Sequence, residues 1–370
     1  MKKGPSVTNE GPSFFVRAMK KIIGLTYNVK SDWPISESDP QDMNAEFDKV
    51  DTVEFISDAL VANGYQVKHI GNVNNLLSKM DNLGVDIVFN IAEGFTGRNR
   101  ESEVPVILEM KQIPFVGSDG LTLGVTLDKI VAKKCFLAEG IPTPRFFEAK
   151  SGDDLKKLNT IGFPLIVKCR HEGTSKGLSA KSKVDDAAGL KRQVDLISKV
   201  YKQGALVEEF IRGTEFTVAV IGNEQPEALP VVQIQIDGKT NLGDEFYTFE
   251  RVSSIGVRYL CPAKIPQALE NKLREIAVKA YRCVECRDFG RVDFRVDEQG
   301  NPYVLEINPL PNLGKEDVFN LIPQVLGMEY KDIINKIMDF ALTRNGLKNG
   351  KLPATPRISK ELLKAAPSHS

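Results

Sequence analysis

The 370-residue sequence predicts an α/β protein that opens with a parallel sheet and its crossover helices, and two observations carry that expectation. From Lys21 to Ser118, short apolar runs with strand character alternate with amphipathic helical stretches, the pattern of βαβ units. Farther on, Gly290 to Asn308 (GRVDFRVDEQGNPYVLEIN) reads as two strands about a turn at Gln299-Gly300-Asn301, a hairpin and so an antiparallel pair. The length exceeds one ordinary core and implies two or three domains.

Taken in order, residues 1–19 are rich in Gly, Pro, Ser and charge and are expected to form a loose tail. Strands follow at Lys21–Tyr27, Tyr65–Ile70, Asp86–Ile91 and Ile113–Gly117, with helices at Phe47–Asn63, Asn75–Leu83 and Val104–Lys111. Leu121 begins a helix of roughly four turns stopped by Gly140, Pro142 and Pro144. Phe163–Cys169 is a strand, Lys183–Val200 a charged amphipathic helix, and Leu206–Ile211, Phe216–Ile221 and Pro230–Ile236 are strands. Asp237–Ser254 is a polar, Gly-containing loop with lid character. Val257–Cys261 leads to a helix at Ala268–Cys286, then the hairpin, then helices at Val318–Leu326 and Lys331–Leu342. A second loose tail is expected beyond Asn345.

Composition narrows the class. Hydrophobic residues make up 42% and charged residues 26%, as in globular proteins, and 49 basic residues balance 49 acidic ones, so no net field favours nucleic acid or an anionic membrane. Neither a membrane span nor a signal peptide is evident, so a cytoplasmic protein is expected. Of five cysteines, Cys283 and Cys286 form a lone C-x-x-C without a second pair or nearby histidine, which suits packing better than metal or redox work.

The hairpin has the most informative chemistry. Period-2 alternation puts Arg291, Asp293 and Arg295 on one face of its first strand, and Val304, Glu306 and Asn308 on one face of its second. Asp293, Glu306 and Asn308 beside Arg291 are a hard-oxygen set suited to Mg2+ shared with nucleotide phosphates, or else an exposed face with a chance salt bridge. Upstream, Lys168 ends a strand and precedes Arg170-His171-Glu172-Gly173-Thr174-Ser175-Lys176-Gly177, a small-residue turn able to cradle phosphate although it lacks Walker A spacing. In the first domain, Asn28–Ser36 and Ala92–Glu101 fall after strands, where parallel sheets bind ligands. The charges of the second loop, including Arg98 and Arg100, suit either substrate recognition or solvation.

In sequence order, Leu127-Asp128-Lys129, Val167-Lys168 with its loop, Val207-Glu208-Glu209-Phe210-Ile211, Gly213-Thr214-Glu215-Phe216-Thr217-Val218, Arg291-Val292-Asp293 and Leu305-Glu306-Ile307-Asn308 resemble the ATP-grasp superfamily, most closely its D-alanine:D-alanine ligase family, over roughly residues 21–342. The resemblance implies an ATP-grasp fold preceded by a Rossmann-like domain: a tail at 1–19, an N-terminal α/β domain at 20–121, ATP-grasp subdomains at 122–212 and 213–345, and a tail at 346–370. It also implies that Lys129 and Lys168 contact ATP phosphates under a loop of Gly173, Thr174 and Ser175. Glu208 and the backbone of Glu209, Phe210 and Ile211 would hold adenine, and Glu215 the ribose. Asp293, Glu306 and Asn308 would bind two Mg2+ ions, with Mn2+ as a substitute, while Arg291 stabilises the transferred phosphoryl group.

Departures from the family pattern fall at substrate positions. The family's Asn-x-x-Pro-Gly-Ser is replaced by Asn308-Pro309-Leu310-Pro311-Asn312-Leu313-Gly314-Lys315-Glu316-Asp317, leaving Asp317 near a carboxylate-binding serine position. Arg251 stands as a possible replacement for the lid lysine. Leu25-Thr26-Tyr27-Asn28 lacks the usual glycine pair and glutamate, and Gly97-Arg98-Asn99-Arg100-Glu101 replaces an acidic loop. The expectation is an ATP-dependent carboxylate-amine ligase with an altered substrate pocket, acting in the cytoplasm on amino acids or peptides, with a homodimer as the candidate assembly. A true D-alanine:D-alanine ligase is the alternative, and a nucleotide-binding regulatory pseudoenzyme the alternative of another class.

Overall fold

The computed structural model describes residues 20–348, apart from residues 38, 152–160 and 253–255. The N-terminal tail and the tail beyond residue 348 lie outside the described residues. The first sheet takes β1 (Ile22–Tyr27), α1 (Val50–Ala62), β2 (Gln66–Gly71), α2 (Val73–Lys79), β3 (Ile87–Ile91), α3 (Glu103–Met110) and β4 (Phe115–Val116), with strand order β2-β1-β3-β4, all parallel. β3 is buried along its whole length, as a central strand covered on both faces must be.

The single helix expected from Leu121 is two. Asp128 breaks it between α4 (Gly120–Leu127) and α5 (Lys129–Ala138), taking ψ 89° and accepting the Val131 N–H on its carboxylate as an N-cap. Propensity favoured continuation, but Arg170 and Arg98 also hold the Asp128 carboxylate, at 2.7 and 3.0 Å.

A second sheet runs through β5 (Phe146–Ala149), β6 (Leu165–Cys169), β7 (Lys183–Val184), α6 (Ala187–Leu196) and β8 (Ala205–Glu209), ordered β5-β8-β6-β7 and antiparallel. The largest sheet comprises β9 (Gly213–Ile221), β10 (Glu227–Ala228), β11 (Val232–Ile236), then α7 (Phe249–Val252), β12 (Val257–Leu260), α8 (Gln267–Cys283), β13 (Phe289–Asp297) and β14 (Pro302–Asn308). Its order is β12-β11-β9-β13-β14, and α9 (Val318–Val325) and α10 (Tyr330–Arg344) follow. These last helices return to the first sheet: Phe319, Ile334 and Met338 share one core with Ile23, Leu25 and Phe89. Each such fully buried side chain contributes about 1.5–3 kcal/mol of transfer free energy.

α8 is shorter than expected and ends at Cys283; after a left-handed Glu285 (φ 53°), Cys286 is buried, accepting the Ser118 hydroxyl at 3.4 Å. The C-x-x-C pair therefore does not share one helix face, and both thiols are free.

Candidate active site

The hairpin β13–β14 forms one wall of a pocket lined also by the loop around Gly173 and Ser175, by residues 208–211 and by Tyr247 and Tyr259. Arg291, Asp293 and Arg295 face the pocket while Val292 and Phe294 are buried behind, as alternation requires. On β14 the alternation fails. The register shifts between Asp293 and Phe294, so that Asp293 opposes Glu306 but Phe294 opposes Val304, leaving Leu305 as the extra residue of a bulge. Val304 thus drops into the core, contrary to the expected shared face, and Leu305 and Glu306 both reach the pocket wall.

Three lysine–glutamate contacts supply the cations of the site. Lys129, first residue of α5, places Nζ 2.6 Å from Glu306 Oε2. Burial would raise the Glu306 pKa, but Lys129 overrides it and holds it down to about 2. Lys168 Nζ lies 2.5 Å from Glu208 Oε1, and Lys133 Nζ 2.8 Å from Glu208 Oε2. Lys133 and Glu208 are each 1% exposed, so this Glu208 carboxylate is a buried counter-ion between two ammonium groups. Burial alone would raise its pKa, yet the two lysines keep it below the usual carboxylate value. Lys133 was not legible as a site residue; it reads as one of several lysines on a helix.

Asp293 accepts both Nε and Nη2 of Arg291 at 3.0 Å, the Thr217 hydroxyl at 2.6 Å and the Asn308 amide at 2.9 Å. Asp293, Glu306 and Asn308 are therefore neighbours, as expected. Among the described residues no group of three or more His, Cys, Asp or Glu side chains converges as a metal cage. Two carboxylates and an amide nevertheless offer hard oxygen atoms of the kind that would suit Mg2+.

At the opposite end, Glu215 accepts Arg295 Nη1 at 2.6 Å, and the Arg295 guanidinium lies 4.7 Å over the Phe210 ring. Glu215 and residues 208–211 line the pocket, although the Glu209 and Phe210 N–H groups donate to Arg145 and Pro164 carbonyls, and the Glu209 carboxylate binds Arg145. Arg251 is not brought to the pocket wall: its guanidinium donates to Glu245 at 2.9 Å and to the Phe246 carbonyl at 3.1 Å.

The small-residue loop is fastened to the first domain. Gly173 N–H donates to Glu46 Oε1 at 2.5 Å, and Gly177 N–H to Asp42 Oδ2 at 2.7 Å. Arg100, 4% exposed, donates to Glu46 at 2.5 Å and to the His171 carbonyl at 2.7 Å, so it buttresses this loop. Asp42 and Glu46 escaped the sequence reading because they lie in a stretch without periodicity. Carboxylates gather nearby. Asp317 lies 3.5 Å from Arg291, with burial raising its pKa against that guanidinium, while burial and then Asp317 push Asp48 up to about 7.

A pocket between the second and third sheets, in which Lys129 meets the carboxylate hairpin at Glu306 and Lys168 meets Glu208, has the arrangement of an ATP-grasp enzyme. The sequence comparisons agree. Residues 136–339 match the family model of the D-ala D-ala ligase C-terminus. An uncharacterised protein, y4sG, of Sinorhizobium fredii is 38% identical over 70% of this chain and 75% of its own length. The D-alanine:D-alanine ligase of Pelotomaculum thermopropionicum is 32% identical over 77% of this chain and 92% of that protein. Among solved structures, the D-alanine:D-alanine ligase of Bacillus anthracis complexed with ATP superposes with TM-score 0.67 at 22% identity, covering 88% of this chain and 98% of that one. The VanG D-Ala:D-Ser ligase of Enterococcus faecalis gives 0.68 at 20% identity, covering 87% and 99%. The chain belongs to the D-alanine:D-alanine ligase-like family, whose members are ATP-dependent ligases forming carbon-nitrogen bonds.

Proposed function

We propose that the protein uses ATP to convert a carboxylate substrate to an acyl phosphate and passes the acyl group to an amine, in a pocket whose acceptor end differs from that of the D-alanine:D-alanine ligases. The observation that carries the altered pocket is the Asp317 carboxylate, 12% exposed and 3.5 Å from Arg291 of the pocket wall. A carboxylate-bearing acceptor entering there would meet like charge, whereas an amine without a carboxylate, or one bearing a second cation, would be attracted.

Lys129 and Lys168 offset repulsion between the ATP phosphates and the attacking carboxylate, holding the two anions close enough to react. Residues 208–211 line the adenine end and Glu215 the ribose end. Asp293, Glu306 and Asn308 would hold Mg2+, two ions in this reading and replaceable by Mn2+, which supplies charge neutralisation at the phosphates. Arg291 stabilises the anionic oxygens of the transferred phosphoryl group and of the tetrahedral adduct formed by the amine. Collapse of that adduct expels phosphate and leaves the amide. Ser175 and its loop keep water from the acyl phosphate, which it would otherwise hydrolyse. Arg251, engaged with Glu245 in this conformation, reaches the substrate only if the lid rearranges.

The substrates in this reading are small amino acids or peptides and the setting cytoplasmic; among the described residues no helix is long and apolar enough to cross a membrane. Phosphate release from ATP and Mg2+, screened over amino acids, dipeptides and amines lacking a carboxylate, tests the proposal. Release from none of the pairs would defeat it. A second reading, ligation of two D-alanines, is favoured by the names of the relatives at about 32% identity, and turnover with D-alanine alone would establish it instead.

A further inference from the structure

The described residues of the 29–48 segment form a strap closed at its base, where Val29 bridges Asp48 and the Lys30 N–H donates to the Asp48 carbonyl at 3.0 Å. Two of its rings, Trp33 and Phe47, pack with Phe95 of the loop after β3 in a triangle with ring centroids 5.7–6.2 Å apart. The strap crosses to the small-residue loop. Asp42, 6% exposed, accepts the Gly177 N–H at 2.7 Å and the Tyr201 hydroxyl at 2.9 Å. Neither contact is used by the mechanism above.

The loop it grips is strained. The Lys176 N–H donates to the Gly173 carbonyl at 2.9 Å, closing a turn whose central residues, Thr174 and Ser175, have φ of 47° and 56°. Both signs are those of a type I′ turn, for which glycine or asparagine is the ordinary choice, and a β-branched threonine there is a genuine outlier. Such a conformation persists only where its surroundings over-determine it. The flanking glycines are the two points held by carboxylates, Gly173 by Glu46 and Gly177 by Asp42. Gly177 has φ 76°, and a Cβ there would come within 2.6 Å of Cys169 Sγ, so this hold point tolerates no side chain.

We propose that Asp42, braced by Tyr201, is a positioning residue that keeps the 173–177 turn bent over the pocket and so sets the affinity for the nucleotide's phosphates. This rests on the reading of that loop as the ATP-phosphate loop. The strap thereby makes nucleotide grip depend on a segment of the first domain that lines neither the adenine nor the metal end.

Calorimetric titration of the full chain with the β,γ-imido analogue of ATP and Mg2+ tests it, alongside hydrogen exchange of residues 173–177. D42A should weaken binding by about tenfold and D42N by less than about threefold, since an amide oxygen still accepts the Gly177 N–H. Exchange at the loop should accelerate in D42A and return toward wild type in D42N. Y201F should weaken binding by about two- to threefold, which keeps the test open if D42A folds poorly. Adding T174G to D42A should restore affinity, because glycine adopts the bent turn without the clamp. K168A separates the layers. If K168A binds as wild type, the nucleotide reading falls and this proposal with it; if K168A loses binding while D42A and Y201F stay within about 1.5-fold of wild type, the proposal alone is overturned. Equal losses in D42A and D42N would also overturn it.

Discussion

Lys129 Nζ lies 2.6 Å from Glu306 Oε2, joining the first residue of α5 to a strand 177 positions later. The pair places a cation on the carboxylate that the proposed mechanism assigns to Mg2+, so that carboxylate is neutralised before ligands enter. Glu306→Gln is expected to lower ATP-dependent phosphate release by about 10²- to 10³-fold, the scale of losing one electrostatic stabiliser. The far-ultraviolet dichroism should match wild type. Turnover within about tenfold of wild type would remove Glu306 from the metal assignment.

Lys133 shares the buried Glu208 with Lys168. Removing one cation leaves a buried carboxylate half-compensated, which costs about 3–5 kcal/mol. K133A should therefore lower the unfolding free energy by about that amount in urea melts, and E208Q added to K133M should recover part of it. A loss below about 1 kcal/mol for K133A would show the pair to be solvated.

Asp48 has its pKa pushed up to about 7, first by burial and then by Asp317. The folded-state value exceeds the unfolded one, so the protonated carboxyl favours the fold below about pH 4 and that advantage is lost as pH rises through about 7. D48N should then gain stability relative to wild type between about pH 4 and 7, reaching up to about 4 kcal/mol and staying level above. Thermal melts across that range read it directly; a pH-independent difference would contradict the assignment.

Asp317 beside Arg291 is the feature on which acceptor selectivity rests in this account. D317S should lower KM for acceptors that carry a carboxylate by about tenfold and raise it for acceptors that do not, as expected when a like charge is withdrawn. Equal effects on both acceptor classes would place Asp317 outside the acceptor pocket.

The sheets and the site were legible to different depths. β1, β3 and the β13 face were readable because a strand buried on both sides is continuously apolar and a half-buried one alternates, and both patterns survive folding. The bulge at Leu305 was not readable, since one extra residue shifts the faces without any change of composition. Nor was the break at Asp128, where tertiary partners Arg170 and Arg98 decide against local helix propensity. Lys129, Lys168, Glu208 and Asp293 were found from ordered motifs, and the fold brings them together. Asp42 and Glu46 act through backbone N–H groups more than 120 positions away, and such contacts leave no local pattern.

The claim of an acyl-phosphate route is tested most directly with a carboxylate substrate labelled with 18O, using the pair identified by the phosphate-release screen. Attack of that carboxylate on the γ-phosphate leaves one labelled oxygen on the phosphate expelled by the amine. The account predicts phosphate carrying one 18O per amide formed, read by mass spectrometry. Unlabelled phosphate released in step with amide would contradict it.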